Sequence, residues 1–115
     1  MSYFTLPMTA LIGDTVINMQ DEKLGKIEDI MLDVETGRVA YAVLSFGGFL
    51  GVGDKLFAVP WQSFQIDRDK KRFVLDVDKE RLQNAPGFDK DDWPDSADQE
   101  FLTSIYDYYH APLFR

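Results

Sequence analysis

The stretch from Lys26 to Phe46 leaves this chain few options. Lys26 to Val34, KIEDIMLDV, opens with apolar and polar residues in alternation, the spacing that turns one face of an extended strand toward a core and the other toward water. Gly37 to Phe46, GRVAYAVLSF, is rich in the β-branched and aromatic residues that favour strands. Between the two runs, Glu35-Thr36-Gly37 supplies a short turn whose glycine takes a positive φ without steric cost. A hairpin is therefore predicted over these residues.

Further strands follow from the same pattern. Thr15 to Asn18 forms a short one, and Lys55 to Trp61, KLFAVPW, forms another with Pro60 near its end, where a lost amide donor harms the ladder least. Phe64 to Asp67 and Arg72 to Val77 make a second hairpin across the polar turn Arg68-Asp69-Lys70-Lys71. Five or six short strands joined by tight turns predict a mainly β fold, a small closed antiparallel barrel, because closure removes exposed edges. Two internal echoes fit this arrangement. Residues 12–17 resemble 52–57, and Asp33 to Val39 resembles Asp67 to Phe73 in residue type and spacing.

Beyond Val77 the β pattern stops. Asp78 to Gln83 reads as a short helix capped by Asp78 and ended by Pro86-Gly87. An acidic connector, FDKDDWPDSAD, comes next. From Asp98 onward Phe101, Leu102, Ile105 and Tyr108 or Tyr109 recur at helical spacing, predicting a helix of about three turns with one apolar face. The expected organisation is a barrel over residues 8–80, followed at 81–115 by the connector and an amphipathic helix that packs on the barrel or on a partner.

A length of 115 residues suits one domain. Apolar residues make up 45% and charged residues 28%, a balance that folds. The chain has no cysteine, which removes disulfides, thiolate metal sites and a cysteine nucleophile together. It offers neither a basic leader with a long apolar run nor the roughly 18 apolar residues of a membrane span, and the expected location is the cytoplasm. Net charge is −8, which repels nucleic acid and anionic lipid and makes direct nucleic-acid binding an unfavoured reading. Most of that charge is in the tail: residues 1–75 carry 8 basic and 10 acidic side chains, residues 76–115 carry 4 and 10.

Four glycines fall within residues 47–53, ahead of Lys55. A phosphate-binding loop needs Lys directly after the second glycine of the spaced pair and Ser or Thr after that, so that amides and ammonium meet phosphate and the hydroxyl holds magnesium. Here Gly48 and Gly53 have the spacing, but Asp54 occupies the lysine position and Leu56 follows Lys55. The dinucleotide fingerprint fails as well, since Gly51-Val52-Gly53 lacks a third glycine and leads into a strand. The glycines are better read as a bulge or sharp corner between strands. Phe49 and Leu50 at the tip of that loop either plug the barrel end or stay exposed and dock on a partner.

The single histidine, His110, has no nucleophile elbow to serve, and one imidazole does not make a multi-histidine metal centre. Asp89, Asp91, Asp92 and Asp95 surround Trp93, but Trp93 and Pro94 stand where a calcium loop needs a ligand and a glycine, so the segment reads as a solvated acidic loop. No cofactor or metal is expected. Trp93 is read as an anchor between connector and barrel wall. In the tail, Phe101, Ile105, Tyr106, Tyr108 and Tyr109 either cover the chain's own barrel or pair with a second copy or another protein.

The ordered combination Ile12-Gly13, Leu24 to Asp29, Asp33 to Leu44 and Gly51 to Trp61 resembles the PRC-barrel family over about residues 8–80. The resemblance implies a small β-barrel like that in the cytoplasmic part of the photosynthetic reaction-centre H subunit and in the C-terminal domain of RimM-type ribosome maturation factors. It implies no general catalytic residues. The chain is similar to stand-alone bacterial members, with the acidic and aromatic tail as an addition.

These readings converge on a non-enzymatic protein-interaction module that forms a homodimer or small oligomer, with Phe49, Leu50, Trp93, Phe101, Ile105, Tyr108 and Tyr109 as the partner-binding residues. The alternative implied by the resemblance is a ribosome- or RNA-processing-associated factor. Its basic surface would come from Lys55 and from Arg68, Lys70, Lys71 and Arg72.

Overall fold

The computed structural model describes residues 5–46, 55–67, 69–95 and 99–112. Phe49 and Leu50, with the rest of the glycine loop, and also Arg68 and Asp98, lie outside the described residues. A short helix α1 (Met8–Leu11) leads into β1 (Thr15–Ile17), β2 (Lys23–Asp33), β3 (Arg38–Phe46) and β4 (Lys55–Pro60). One 3-10 turn at Trp61–Ser63 separates β4 from β5 (Phe64–Asp67) and β6 (Arg72–Leu75), after which come α2 (Lys79–Gln83), β7 (Gly87–Asp89) and α3 (Gln99–Tyr108).

The β2–β3 hairpin is the longest ladder, pairing Asp33 with Arg38 at its tip and Lys26 with Ser45 at its base. Gly37 closes the turn at φ +75°, and its amide donates to the Asp33 carbonyl at 2.8 Å. The alternation of β2 breaks at Glu28, an extra residue between the pairs Ile27–Leu44 and Asp29–Val43. Ala40 is the matching extra residue on β3. Such bulges sharpen twist and let a short strand curl around a core, and they bring Ile27 and Ile30 to the same buried face three residues apart.

At the start of β2, Gly25 sits at φ +153° against β3, and a Cβ there would lie 2.0 Å from the Ser45 carbonyl oxygen. Only glycine permits this approach. The loop before it is built around buried Asn18, whose Oδ1 accepts from the amides of Gln20 (3.0 Å) and Glu22 (2.9 Å) while its Nδ2 donates to Glu22 Oε1 (2.7 Å).

Among the described residues the strands pair in the order β5-β6-β1-β2-β3-β4-β7. The mainly β, barrel-like sheet with a C-terminal helix agrees with the sequence, and three details do not. The sheet is not closed: β5 and β7 form its two edges, and their shortness, four and three residues, limits the exposed ladder. One pairing, β1 with β6, is parallel; these strands are far apart in sequence, so no tight turn forces them antiparallel. The expected acidic connector also begins with a strand, β7, whose Phe88 pairs with Leu56.

The core lies inside the curl, with Val16, Ile27, Leu44, Phe57, Phe73 and Leu75 each at most 2% exposed. Burying such side chains stabilises the fold by about 1.5–3 kcal/mol each. The outer face of β4 is covered too. Ala58 is fully buried and packs with Ile105 and Tyr106 of α3, which accounts for the unbroken apolar run Leu56-Phe57-Ala58-Val59, since a strand covered on both faces loses its alternation.

Candidate interaction site

Helix α3 is fixed by what it reaches. Ile105 and Tyr106 point down onto β4 and are 0% and 1% exposed. The Tyr106 hydroxyl donates to the Ala40 carbonyl at 2.6 Å and lies 3.3 Å from Gln62 Oε1. Ala40 is the bulged residue of β3, so the tyrosine satisfies a carbonyl that the β2–β3 ladder leaves out of register. Burial raises the Tyr106 pKa above the ordinary phenol value, with the Gln62 contact opposing.

The end of the helix clasps α2. Here the Asp78 cap is in place, its carboxylate accepting from the Arg81 amide at 2.7 Å. The Tyr108 hydroxyl donates to the Arg81 carbonyl at 2.5 Å, the Arg81 guanidinium donates to the Tyr108 carbonyl, and the same guanidinium lies 4.4 Å from the Tyr108 ring centre. Tyr109 packs edge-on against Tyr108 with centroids 5.2 Å apart. Its hydroxyl is buried with no hydrogen-bond partner among the described residues. Burial pushes its pKa far up, Tyr108 adds to the rise, and Arg81 opposes it.

A second aromatic group faces outward along the seam between barrel, connector and tail. Tyr41 of β3 meets Phe101 of α3 edge-on at 6.2 Å, Phe101 meets Phe88 of β7 at 5.9 Å, and Phe88 meets Trp93 at 5.1 Å. The first three rings are half-buried, whereas Trp93 is 39% exposed. Its indole N–H donates to the Lys90 carbonyl at 2.8 Å, which fixes the ring over the turn that follows β7. Asp91 and Asp92 on that turn are exposed and form no ion pair among the described residues.

The structure thus separates the residues singled out from sequence. Trp93 and Phe101 join one outward aromatic row. Ile105 is buried within the chain, and Tyr108 and Tyr109 are engaged with α2. Two members of the row, Tyr41 and Phe88, were not anticipated. A signal for Tyr41 exists in Arg38 to Phe46, where Tyr41 and Val43 are apolar on the face opposite Ala42 and Leu44. For Phe88 there is none, because an isolated aromatic in an acidic stretch has no period to read.

Elsewhere the described residues offer little surface chemistry. His110 is exposed at φ +55°, and among the described residues no three His, Asp or Glu converge as metal ligands. Burial raises the Asp14 pKa above the ordinary carboxylate value, and the nearby Lys71 charge opposes the rise. No helix among the described residues is long and apolar enough to cross a membrane.

Residues 7–82 match the family model described as the PRC-barrel domain, about two thirds of the chain. This chain belongs to the PRC-barrel domain family. A comparison with curated proteins finds no match. Among solved structures, this chain is similar to a 16S ribosomal RNA processing protein RimM from Pseudomonas aeruginosa, with 22% identity, a TM-score of 0.45, and coverage of 65% of this chain and 45% of that one. The chain therefore spans under half of that protein's length. Phe88, Trp93 and Phe101 all fall after residue 82, so the half-buried row and its exposed end at Trp93 are set mostly by residues outside the segment that matches the PRC-barrel model.

Proposed function

We propose that this PRC-barrel chain is a non-catalytic protein-interaction module and that it engages its partner through the Trp93 face. The observation that carries the reading is the row Tyr41–Phe101–Phe88–Trp93, which ends in a large, partly exposed ring packed on Phe88 and oriented by the hydrogen bond to Lys90. A preordered aromatic with a half-buried base binds with little loss of side-chain freedom, which is why such residues dominate the energetics of interfaces. The partner is a second copy of the chain or another protein.

The alternative of a ribosome- or RNA-processing-associated factor would use the basic β5–β6 hairpin. There Arg72 already lies 3.4 Å from Asp67 and 3.7 Å from Asp21, which leaves Lys70 and Lys71 as the cations on offer among the described residues of that turn. Together with the exposed Lys55, these lysines against a net charge of −8 give weak attraction for phosphate, and Arg68 lies outside the described residues.

Photocrosslinking in cells tests the reading. With benzoylphenylalanine at position 93, a discrete protein adduct is expected, and the same probe at Val34, which is 82% exposed on the distant β2–β3 tip, should not give it. Equal patterns from both positions would remove the Trp93 face as an interface. The adduct's composition then separates a second copy from a foreign protein, and an RNA or ribosomal adduct would favour the alternative.

A further inference from the structure

The charge around the aromatic row restricts what can sit on it. Residues 87–107 contain seven acidic side chains and one basic one, Lys90. The exposed ring of Trp93 follows directly on Asp91 and Asp92, whose carboxylates are unpaired among the described residues. Across the helix, Glu100 and Asp107 are exposed on the outer side of α3. A low-dielectric aromatic surface beside unpaired carboxylates strengthens the attraction for a cation approaching it.

Most occupants are excluded by this arrangement. Nucleic acid and anionic lipid are repelled. A divalent ion finds no converging group of three ligands among the described residues. A second copy docking the same face by two-fold symmetry would bring the two sets of carboxylates together. A cationic polypeptide fits, and arginine fits better than lysine, because the planar guanidinium stacks on an indole while donating paired hydrogen bonds to a carboxylate.

We infer that the Trp93 face takes an arginine-bearing segment of a partner protein, with the guanidinium over the indole and Asp91 and Asp92 as its anionic rim. The inference rests on the interaction-module reading and gives the partner its chemistry. Because the row lies mostly beyond residue 82, this specificity belongs to the tail and not to the barrel common to the family.

The test uses the full chain and fluorescein-labelled octaarginine, followed by anisotropy at about 50 mM salt, with octalysine as comparison. Trp93→Leu, which keeps an apolar side chain against Phe88 but removes the π face, should weaken octaarginine binding at least about fivefold. Asp91→Asn with Asp92→Asn should do the same. A control pair with the same charge change, Glu28→Gln with Asp76→Asn, both exposed and away from the connector, should change it less than about twofold. Octalysine should bind at least about threefold more weakly than octaarginine.

No binding of octaarginine, an unaffected Trp93→Leu, equal loss in the control pair, or equal affinity for the two peptides would each overturn the inference. Its failure is distinguishable from failure of the module reading. A neutral or acidic protein crosslinked at position 93 keeps the module and removes arginine recognition, whereas site-specific octaarginine binding without any cellular adduct does the reverse.

Discussion

Two turns that look alike in sequence prove to share a conformation at their last loop residue. Asp33 pairs with Arg38 and Asp67 with Arg72 across connections of equal length. In both, the aspartate accepts from an amide within the loop, Glu35 at 3.1 Å in one and Lys70 at 3.3 Å in the other. The residue before each arginine has positive φ, Gly37 at +75° and Lys71 at +52°. Glycine meets that requirement freely and lysine does not, since its Cβ crowds the carbonyl in the left-handed region. Lys71→Gly is therefore expected to stabilise the fold by about 0.5–1 kcal/mol, seen as a rise of a few degrees in Tm. Lys71→Asn, which also tolerates this region, should recover part of the gain. Lys70→Gly, one position earlier, should not stabilise. Equal responses at 70 and 71 would show that lysine carries no conformational cost there. The parallel between the turns was legible as matched residue types; the strain at Lys71 was not, because φ is a property of the closed hairpin.

At the scale of the element, α3 was legible from its spacing, and its cap partner α2 from Asp78. The strand β7 was not, because three residues cannot display a period and its pairing to β4 depends on where the chain returns. What holds α3 also sets a pH dependence. Tyr106 and Tyr109 have pKa values raised by burial, so the folded state keeps both protons at a pH where the unfolded chain loses them. The unfolded state then binds fewer protons than the native state, and stability falls as pH rises. The window opens near the unfolded phenol value of about 10, below which their contribution is fully present, and the loss continues upward toward the raised folded values. Denaturant melts between pH 8 and 11 should be flat at first and then decline, by at most about 1.4 kcal/mol per pH unit for each phenol. Tyr109→Phe separates the two. It removes a buried hydroxyl that has no partner among the described residues, so it should leave neutral stability unchanged or slightly raised while reducing the alkaline slope. Tyr106→Phe should reduce the slope but cost about 1–3 kcal/mol at neutral pH, because the Ala40 carbonyl loses its donor. An alkaline slope unchanged in both variants would refute the account.

For the whole molecule, the sequence anticipated a closed barrel with a helix either on it or on a partner. Closure was the part it could not fix. The hydrophobic pattern of β5 and β6 is the same whether or not the edge beyond β5 is paired, and whether β1 joins β6 in parallel is decided by how a long intervening chain wraps. The packing of α3 in turn changes what a truncation would report. Removing residues 98–115 does not merely delete an exposed sticky helix; it strips Ile105 and Tyr106 from β4, uncovers Ala58, and leaves the Ala40 carbonyl unpaired. Two side chains of that size contribute about 3–6 kcal/mol of burial, offset in part by the entropy of ordering the helix. A chain of residues 1–97 is therefore expected to melt about 10 °C below the full chain and to associate through the bared outer face of β3 and β4 as concentration rises. Light scattering alone would read that association as a native oligomer. Pairing the solution mass with the melting temperature resolves it: a gain in mass accompanied by a fall in Tm assigns α3 to the chain's own fold, whereas a 1–97 chain as stable as the full one would mean that the α3 contacts contribute nothing net. Trp93→Leu, which leaves α3 seated, should shift Tm by less than about 2 °C, so that any change in its solution mass reports on the Trp93 face itself.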